Sequence, residues 1–436
     1  MRKSGWMLAA ALPMAFAACA EAGGRSETRG RLSADATRIA AGRHCESSAM
    51  LNALRAAGYD FTEAEIIGYG AAPSFVYEAG RFPFLGGRSA DMREVFFATT
   101  GVGWQGRKPE PRGDLWKEVY EVLGRGLPVM LRVDMRYLPY RYEGKIGPAY
   151  MSFGWHWIAL FGVDREAGLA YVTDTDYAGL QRIRLRDLEK ARTSKTRRWP
   201  PAGEYAWVEP AAPGWTADRD GLARAALKAS AANLRSGAFQ GLSAGLPELE
   251  RLPDRLAGLD REVPAFLLPP ALAFMSDSIE RNGTGGAAFR TLYAEWLESE
   301  APRLRDPALA AKVSAAAVAA RRAEAAWHAL AAALSEASLT AKTARKPEER
   351  SRLAARLSDV AKPLVEAERN LAAALEAAGG HRGRPTSRPD AKFLGSGSPL
   401  LRKPHANSRT EPTPASSTAQ VRARAMRAFM SVQWQA

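Results

Sequence analysis

Cys45, His156 and Asp174 are the residues of this sequence whose types fit acyl-transfer chemistry. A thiol attacks a carbonyl carbon, an imidazole carries the proton, and a carboxylate orients the imidazole. The reactive form is the thiolate, which a helix N-terminus stabilises through its unpaired amides and partial positive charge. Met50, Leu51 and Leu54 recur at helical spacing after Cys45, and Gly58 stands where a helix would stop, so the pattern predicts a short helix headed by Cys45. Two histidines of the first half, His44 and His156, compete for the base role. Adjacent side chains diverge at a helix start, so His44 is expected to be poorly aimed at the sulfur, and the role falls to His156.

Residues 157–163, the polar turn 164–168 and residues 169–173 have the proportions of a β-hairpin. Its return brings residues 174–176 opposite His156, where Asp174 and Asp176 share strand parity. Asp174 is the preferred orienter and Asp176 the alternative. Taken singly, these residues also fit a small buried thiol, a core histidine and two turn-forming aspartates. Their order and context favour the chemical reading.

The surrounding elements follow from periodicity. Residues 65–70, 73–80 and 82–88 read as strand and loop, residues 115–123 as an amphipathic helix, and residues 127–133 as a buried strand ending at Asp134. Four prolines in residues 197–216 read as a linker. Beyond it Phe289, Leu292, Tyr293, Trp296 and Leu297 fall on one helical face, and similar stripes over 309–334 and 353–375 predict an almost wholly helical region. Trp296 and Trp327 read as packing residues, and His328 as a surface or satisfied histidine.

At 436 residues and 46% apolar, the chain is long enough for two domains, each with a core of its own. Of the net charge of +14, residues 381–436 supply ten Lys or Arg against two acids. Elsewhere acids interleave with bases, which argues against a nucleic-acid partner. The expected organisation is a signal segment (1–22), a polar linker (23–37), an α+β domain (38–196), a Pro-rich linker (197–216), a helical domain (217–378) and a disordered basic tail (379–436). Arg2 and Lys3 precede a thirteen-residue apolar run, 6–18, too short to span a bilayer. Phe16-Ala17-Ala18-Cys19 resembles a lipobox, so the expectation is export to the periplasm or membrane anchoring through a lipidated Cys19. With two cysteines, Cys45 is expected to be a free thiol. Nothing in the sequence asks for a metal or cofactor or sets an oligomeric state.

Several motifs carry a resemblance. Gly42-Arg43-His44-Cys45-Glu46-Ser47-Ser48-Ala49-Met50, Glu65-Ile66-Ile67-Gly68-Tyr69-Gly70, Gly86-Gly87-Arg88, residues 128–134 with Leu138-Pro139-Tyr140, residues 156–164 and Val172-Thr173-Asp174 follow one another in a single order. Over residues 42–190 the chain resembles the BtrH amino-terminal domain family, named for a butirosin biosynthesis protein. Gly283-Thr284-Gly285-Gly286, Phe289-Arg290-Thr291-Leu292-Tyr293 and Trp327 resemble the helical domain that commonly follows it.

The resemblance implies an α+β, papain-like, cysteine-protease-type domain related to bacteriocin-leader peptidases, followed by an all-α domain. It further implies aminoacyl transfer from a carrier protein to an aminoglycoside amine, with Cys45 forming the acyl thioester and His156 shuttling protons. Glu65, Gly68, Gly70, Arg88 and Asp134 become candidates for a substrate pocket. Papain-like enzymes usually place Gln or Asn ahead of the cysteine to bind the oxyanion. Residues 39–44 supply neither, so the Cys45 amide has more to do. Three readings follow: an acyltransferase joining a thioester or amide donor to an amine, an exported peptidase or amidase using water, and a binding module without catalysis.

Overall fold

The computed structural model describes residues 31–380 apart from 90–91, 110–112, 197–198, 237 and 240–241. An α+β region is followed by a mostly helical one, as the pattern predicts. The strands are β1 (Arg31–Ser33), β2 (Pro73–Glu78), β3 (Phe84–Arg88), β4 (Trp104–Arg107), β5 (Val129–Val133), β6 (His156–Asp164), β7 (Leu169–Thr173), β8 (Gln181–Arg184) and β9 (Tyr205–Val208). Helices α1 (Cys45–Ala56), α2 (Glu63–Tyr69), α3 (Met92–Thr100), α4 (Lys117–Gly124) and α5 (Leu185–Thr193) belong with them.

An antiparallel sheet runs in the order β4-β9-β5-β6-β7-β8, with β1 also paired to β6. β6 lies inside it, paired with β5 and β7, and His156 through Val163 are all buried. An apolar run of this length is what a strand covered on both faces requires. Helix α1 packs against β6, which sets the start of the helix near the start of the strand.

Two expectations for this region are corrected. Residues 65–69 are helical, in α2, with Gly70 as its C-cap, because Thr62 and Glu65 form a capping box: Thr62 Oγ1 accepts from the Glu65 amide at 3.1 Å, and the Glu65 carboxylate accepts from the Thr62 amide at 2.8 Å. The expected linker at 197–216 contains β9, which pairs with both β4 and β5. Pro200, Pro201, Pro210 and Pro213 flank the Tyr-Ala-Trp-Val segment without entering it, so its ladder amides are intact.

The helical region comprises α6 (Arg219–Ser236), the short α7 (Leu246–Leu249), α8 (Leu252–Ala257) and α9 (Leu259–Glu262), then α10 (Leu268–Glu280), α11 (Arg290–Glu300), α12 (Pro307–Ala341) and α13 (Pro347–Gly379). Trp296 and Trp327 are fully buried, as their spacing predicts, and the half-exposed His328 contacts Glu280 at 2.8 Å.

The expectation of two separate cores is also corrected. One apolar cluster joins Ile66, Tyr69 and Phe75 of the first region to Trp296, Leu297 and Trp327 of the second. Gly68 marks the closest approach: a Cβ there would lie 1.9 Å from the Trp296 ring, so only glycine lets α2 meet α11. Arg290, fully buried, closes the seam. It holds Glu368 of α13 through Nε (2.7 Å) and Nη2 (3.1 Å), and donates to the carbonyls of Ser74 (2.9 Å) and Gly87 (2.6 Å) on β2 and β3. Just before it Ala287, Ala288 and Phe289 have φ of 46°, 49° and 74°, a left-handed run in buried non-glycine residues that surrounding packing must hold in place.

The expectation of membrane anchoring is corrected to this extent: among the described residues no helix is long and apolar enough to cross a membrane. The segments 1–22 and 23–30 and the lipidation candidate Cys19 lie outside the described residues, as does the expected tail beyond Gly380.

Candidate active site

Helix α1 begins at Cys45, and His44 is its N-cap, extended at φ −136° and ψ 137°. The cap residue's carbonyl accepts from the Ser48 amide at 2.8 Å, and its ring Nδ1 accepts from the Ser47 amide at 3.3 Å. Glu63, the first residue of α2, fixes the approach to the helix. Its carboxylate accepts from the backbone amides of Arg43 (2.9 and 3.0 Å) and His44 (3.0 Å) and from the Ser47 hydroxyl (2.8 Å). One residue earlier, the Gly42 amide donates to the Thr175 carbonyl at 2.8 Å, which ties the cysteine's loop to the end of β7. Cys45 itself is a free thiol, partly exposed.

His156 opens β6 opposite Val133 of β5 and is almost fully buried. Its Nε2 donates to Asp174 Oδ1 at 2.8 Å, which leaves Nδ1 as the ring nitrogen not engaged by that carboxylate. Asp174 lies just beyond β7, sealed from solvent. Oδ1 also accepts from the Thr175 amide (2.7 Å), and Oδ2 accepts from the Tyr140 hydroxyl (2.9 Å) and Arg141 Nε (2.8 Å). The alternative orienter, Asp176, is exposed and meets Arg141 Nη1 at 3.3 Å. The geometry therefore brings together Cys45, His156 and Asp174, and leaves Asp176 outside.

Burial pushes the Cys45 thiol up. The charges and hydrogen bonds of His44 and His156 outweigh it and hold the thiol well below its ordinary value. Burial likewise disfavours a charged His156, but Asp174, and then the Cys45 sulfur, push it up to about 9. Asp174, despite burial, is held well below the usual carboxylate range by His156 and Arg141. These directions favour a thiolate beside an imidazolium.

The extended cap conformation turns the His44 ring back over the first turn, where it hydrogen-bonds Ser47, and its charge is one of the influences that lower the Cys45 thiol. On its other side the ring packs edge-to-face on Phe289, with centroids 5.0 Å apart and planes at 81°. The position before a helix start is a capping slot, and that was the available signal for His44.

The pocket candidates occupy other places. Glu65 is buried under Arg219 (2.9 Å) and Arg303 (2.8 Å) of the helical region, Gly68 lies against Trp296, and Gly70 against Met92. Asp134 is fully buried and accepts from the Phe153 amide (3.0 Å) and the hydroxyls of Ser152 and Ser194 (both 2.6 Å), which folds the loop before His156. Arg88 comes nearest the site, through an ion pair at 2.9 Å with Glu46, the residue after Cys45. These four positions other than Arg88 hold elements together. Among the described residues no group of three or more His, Cys, Asp or Glu could hold a metal ion.

The family described as butirosin biosynthesis protein H, N-terminal, matches residues 44–175, and a domain of unknown function, DUF4872, matches residues 186–375. An amino-terminal BtrH-type domain is thus present, and a separate region of uncharacterised type follows it. No curated protein matches the chain.

Proposed function

We propose that this protein is a cysteine-dependent acyltransferase. The observation that carries the reading is the Cys45 thiol, held low by two imidazoles, one of which is bonded to a sealed aspartate. The BtrH-type domain supports it, since that family resemblance implies transfer of an acyl or aminoacyl group. Cys45 attacks the carbonyl carbon of a thioester or amide donor, the sulfur–carbon bond forms, and the leaving group departs with a proton from His156. An amine then attacks the thioester carbon, His156 takes the amine proton, and the thiolate leaves. Asp174 keeps the imidazole oriented throughout.

The test is intact mass after incubation with a small acyl thioester. The wild-type protein should gain one acyl group, Cys45→Ser none, and His156→Ala should gain it roughly 10²–10⁴-fold more slowly. An added amine should be recovered as its amide. Free acid alone, whatever amine is present, would make the protein a hydrolase, and a folded wild-type protein that acquires no acyl group would be a binding module.

A further inference from the structure

We propose that Arg141 is a positioning residue for the proton transfer: it shares the buried charge of Asp174 with His156, so that the carboxylate keeps a counter-ion when the imidazolium gives its proton away. The inference rests on the acyl-transfer reading above and deepens it by a residue outside the Cys45–His156–Asp174 set.

The two oxygens of Asp174 are divided between two cations. Oδ1 takes His156 Nε2 at 2.8 Å and the Thr175 amide at 2.7 Å, while Oδ2 takes Arg141 Nε at 2.8 Å and the Tyr140 hydroxyl at 2.9 Å. Four donors fix the plane of the carboxylate, which has no exposed surface. Arg141 is built into place. It ends a 3-10 turn, Pro139–Arg141, in the connection between β5 and β6, and its guanidinium lies 5.8 Å from the centre of the Tyr177 ring. Asp134 closes the base of that connection by accepting from the Ser152 hydroxyl and the Phe153 amide.

The titratable and charged groups gathered here are Cys45 and His44 at the head of α1, Tyr140 and Arg141 before β6, and Asp176 and Tyr177 beyond β7. Of these, Arg141 alone carries a positive charge that no ordinary pH removes. Its place beside Asp174 has a consequence for His156. As the leaving group departs, the electron pair of its broken bond to the carbonyl carbon takes a proton from the imidazolium, which becomes neutral. A sealed carboxylate whose only cation was that imidazolium would then be a buried, uncompensated charge. With Arg141 on Oδ2 the carboxylate is paired before and after the proton moves. The same sharing means that the imidazolium is held less tightly than by a carboxylate of its own.

A clamp without charge sharing and the proposed role predict opposite signs. NMR titration of the His156 ring in the full-length Cys45→Ser protein, where no thiolate titrates with it, reads the difference. Arg141→Gln, which removes the charge and keeps an amide donor, should raise the His156 midpoint by about one pH unit. Arg141→Lys, which keeps the charge, should stay within about 0.3 of the parent. In proteins with Cys45 intact and acylated by the small thioester, the pH midpoint of attack by the amine should rise in Arg141→Gln by the same amount. A His156 midpoint that is unchanged or lower in folded Arg141→Gln, or that rises as far in Arg141→Lys, overturns the proposal; a loosened Asp174 that merely supports the ring less would lower it. Should Arg141→Gln not fold, Asp176→Asn decides. Asp176 is 70% exposed and meets Arg141 Nη1, so its loss leaves Arg141 to bear more fully on Asp174, and the His156 midpoint should fall by about 0.3. An unchanged or higher midpoint overturns the proposal. If the wild-type protein takes no acyl group, the acyl-transfer reading fails, and the His156 titrations still decide whether Arg141 shares the charge.

Discussion

His156 Nε2 and Asp174 Oδ1 stand 2.8 Å apart with both side chains almost sealed from solvent. The same carboxylate anchors Tyr140, Arg141 and the Thr175 amide, so its charge serves four partners at once. Asp174→Asn should therefore lower the pKa of His156 from about 9 and leave the Arg141 guanidinium short of a counter-charge. We expect acylation to slow by roughly 10²–10⁴-fold and stability to drop by about 3–5 kcal/mol. Single-turnover kinetics and urea denaturation measure the two effects, and a variant matching the wild type in both would remove Asp174 from the site.

The pH dependence has a definite sign on each side. His156 is more basic folded than unfolded, so its contribution to stability is complete below an unfolded value of about 6.5 and is lost as pH rises through about 9. Asp174 is more acidic folded than unfolded, so its contribution is present above the ordinary carboxylate range and is lost as pH falls towards its depressed folded value. Denaturation midpoints across pH should show a plateau bounded by these two losses. Alkylation of Cys45 should persist well below the ordinary thiol range and change again near pH 9 as the imidazolium deprotonates. A single rise centred near an ordinary thiol pKa of about 8.5 would contradict the ion pair.

The shared core predicts that the two regions unfold together. Near-ultraviolet and far-ultraviolet signals should give one coincident transition. Glu368→Ala, which strands the buried Arg290 guanidinium and frees the Trp327 indole, should cost about 3–5 kcal/mol without splitting that transition. Two separated transitions in the wild type would show that the regions are independent.

Gly68 and Trp296 offer a paired test. Gly68→Ala should destabilise by about 1–3 kcal/mol or more because its methyl group meets the indole. Trp296→Leu alone should also destabilise, yet in its background Gly68→Ala should cost much less, and strictly additive losses would place the contact elsewhere.

The start of α1 and the placing of His156 beside Asp174 were legible because each depends on local pattern: Met50, Leu51 and Leu54 on one helical face, and a hairpin whose length fixes what returns opposite what. Helix α2 was misread because Ile66, Ile67 and two glycines look like strand and turn, although the Thr62–Glu65 pair already spelled a helix start. Strand β9 was hidden by the prolines around it. Tyr140, Arg141 and Phe289 reach the site through contacts across 34, 33 and 245 residues of chain, and no periodicity encodes such pairings. The shared core was missed for a related reason: an apolar helical face shows that something covers it, and says nothing of which element does.

The bond from the Gly42 amide to the Thr175 carbonyl sets an order of events during synthesis. Cys45 leaves the ribosome more than a hundred residues before His156 and Asp174, and the loop that presents it, braced early by Glu63, lacks its bond to the end of the strand until Thr175 exists. Under the proposed function, therefore, a nascent chain carries the thiol without its His156 and Asp174 partners, and the chemistry of Cys45 waits on the completion of its own fold.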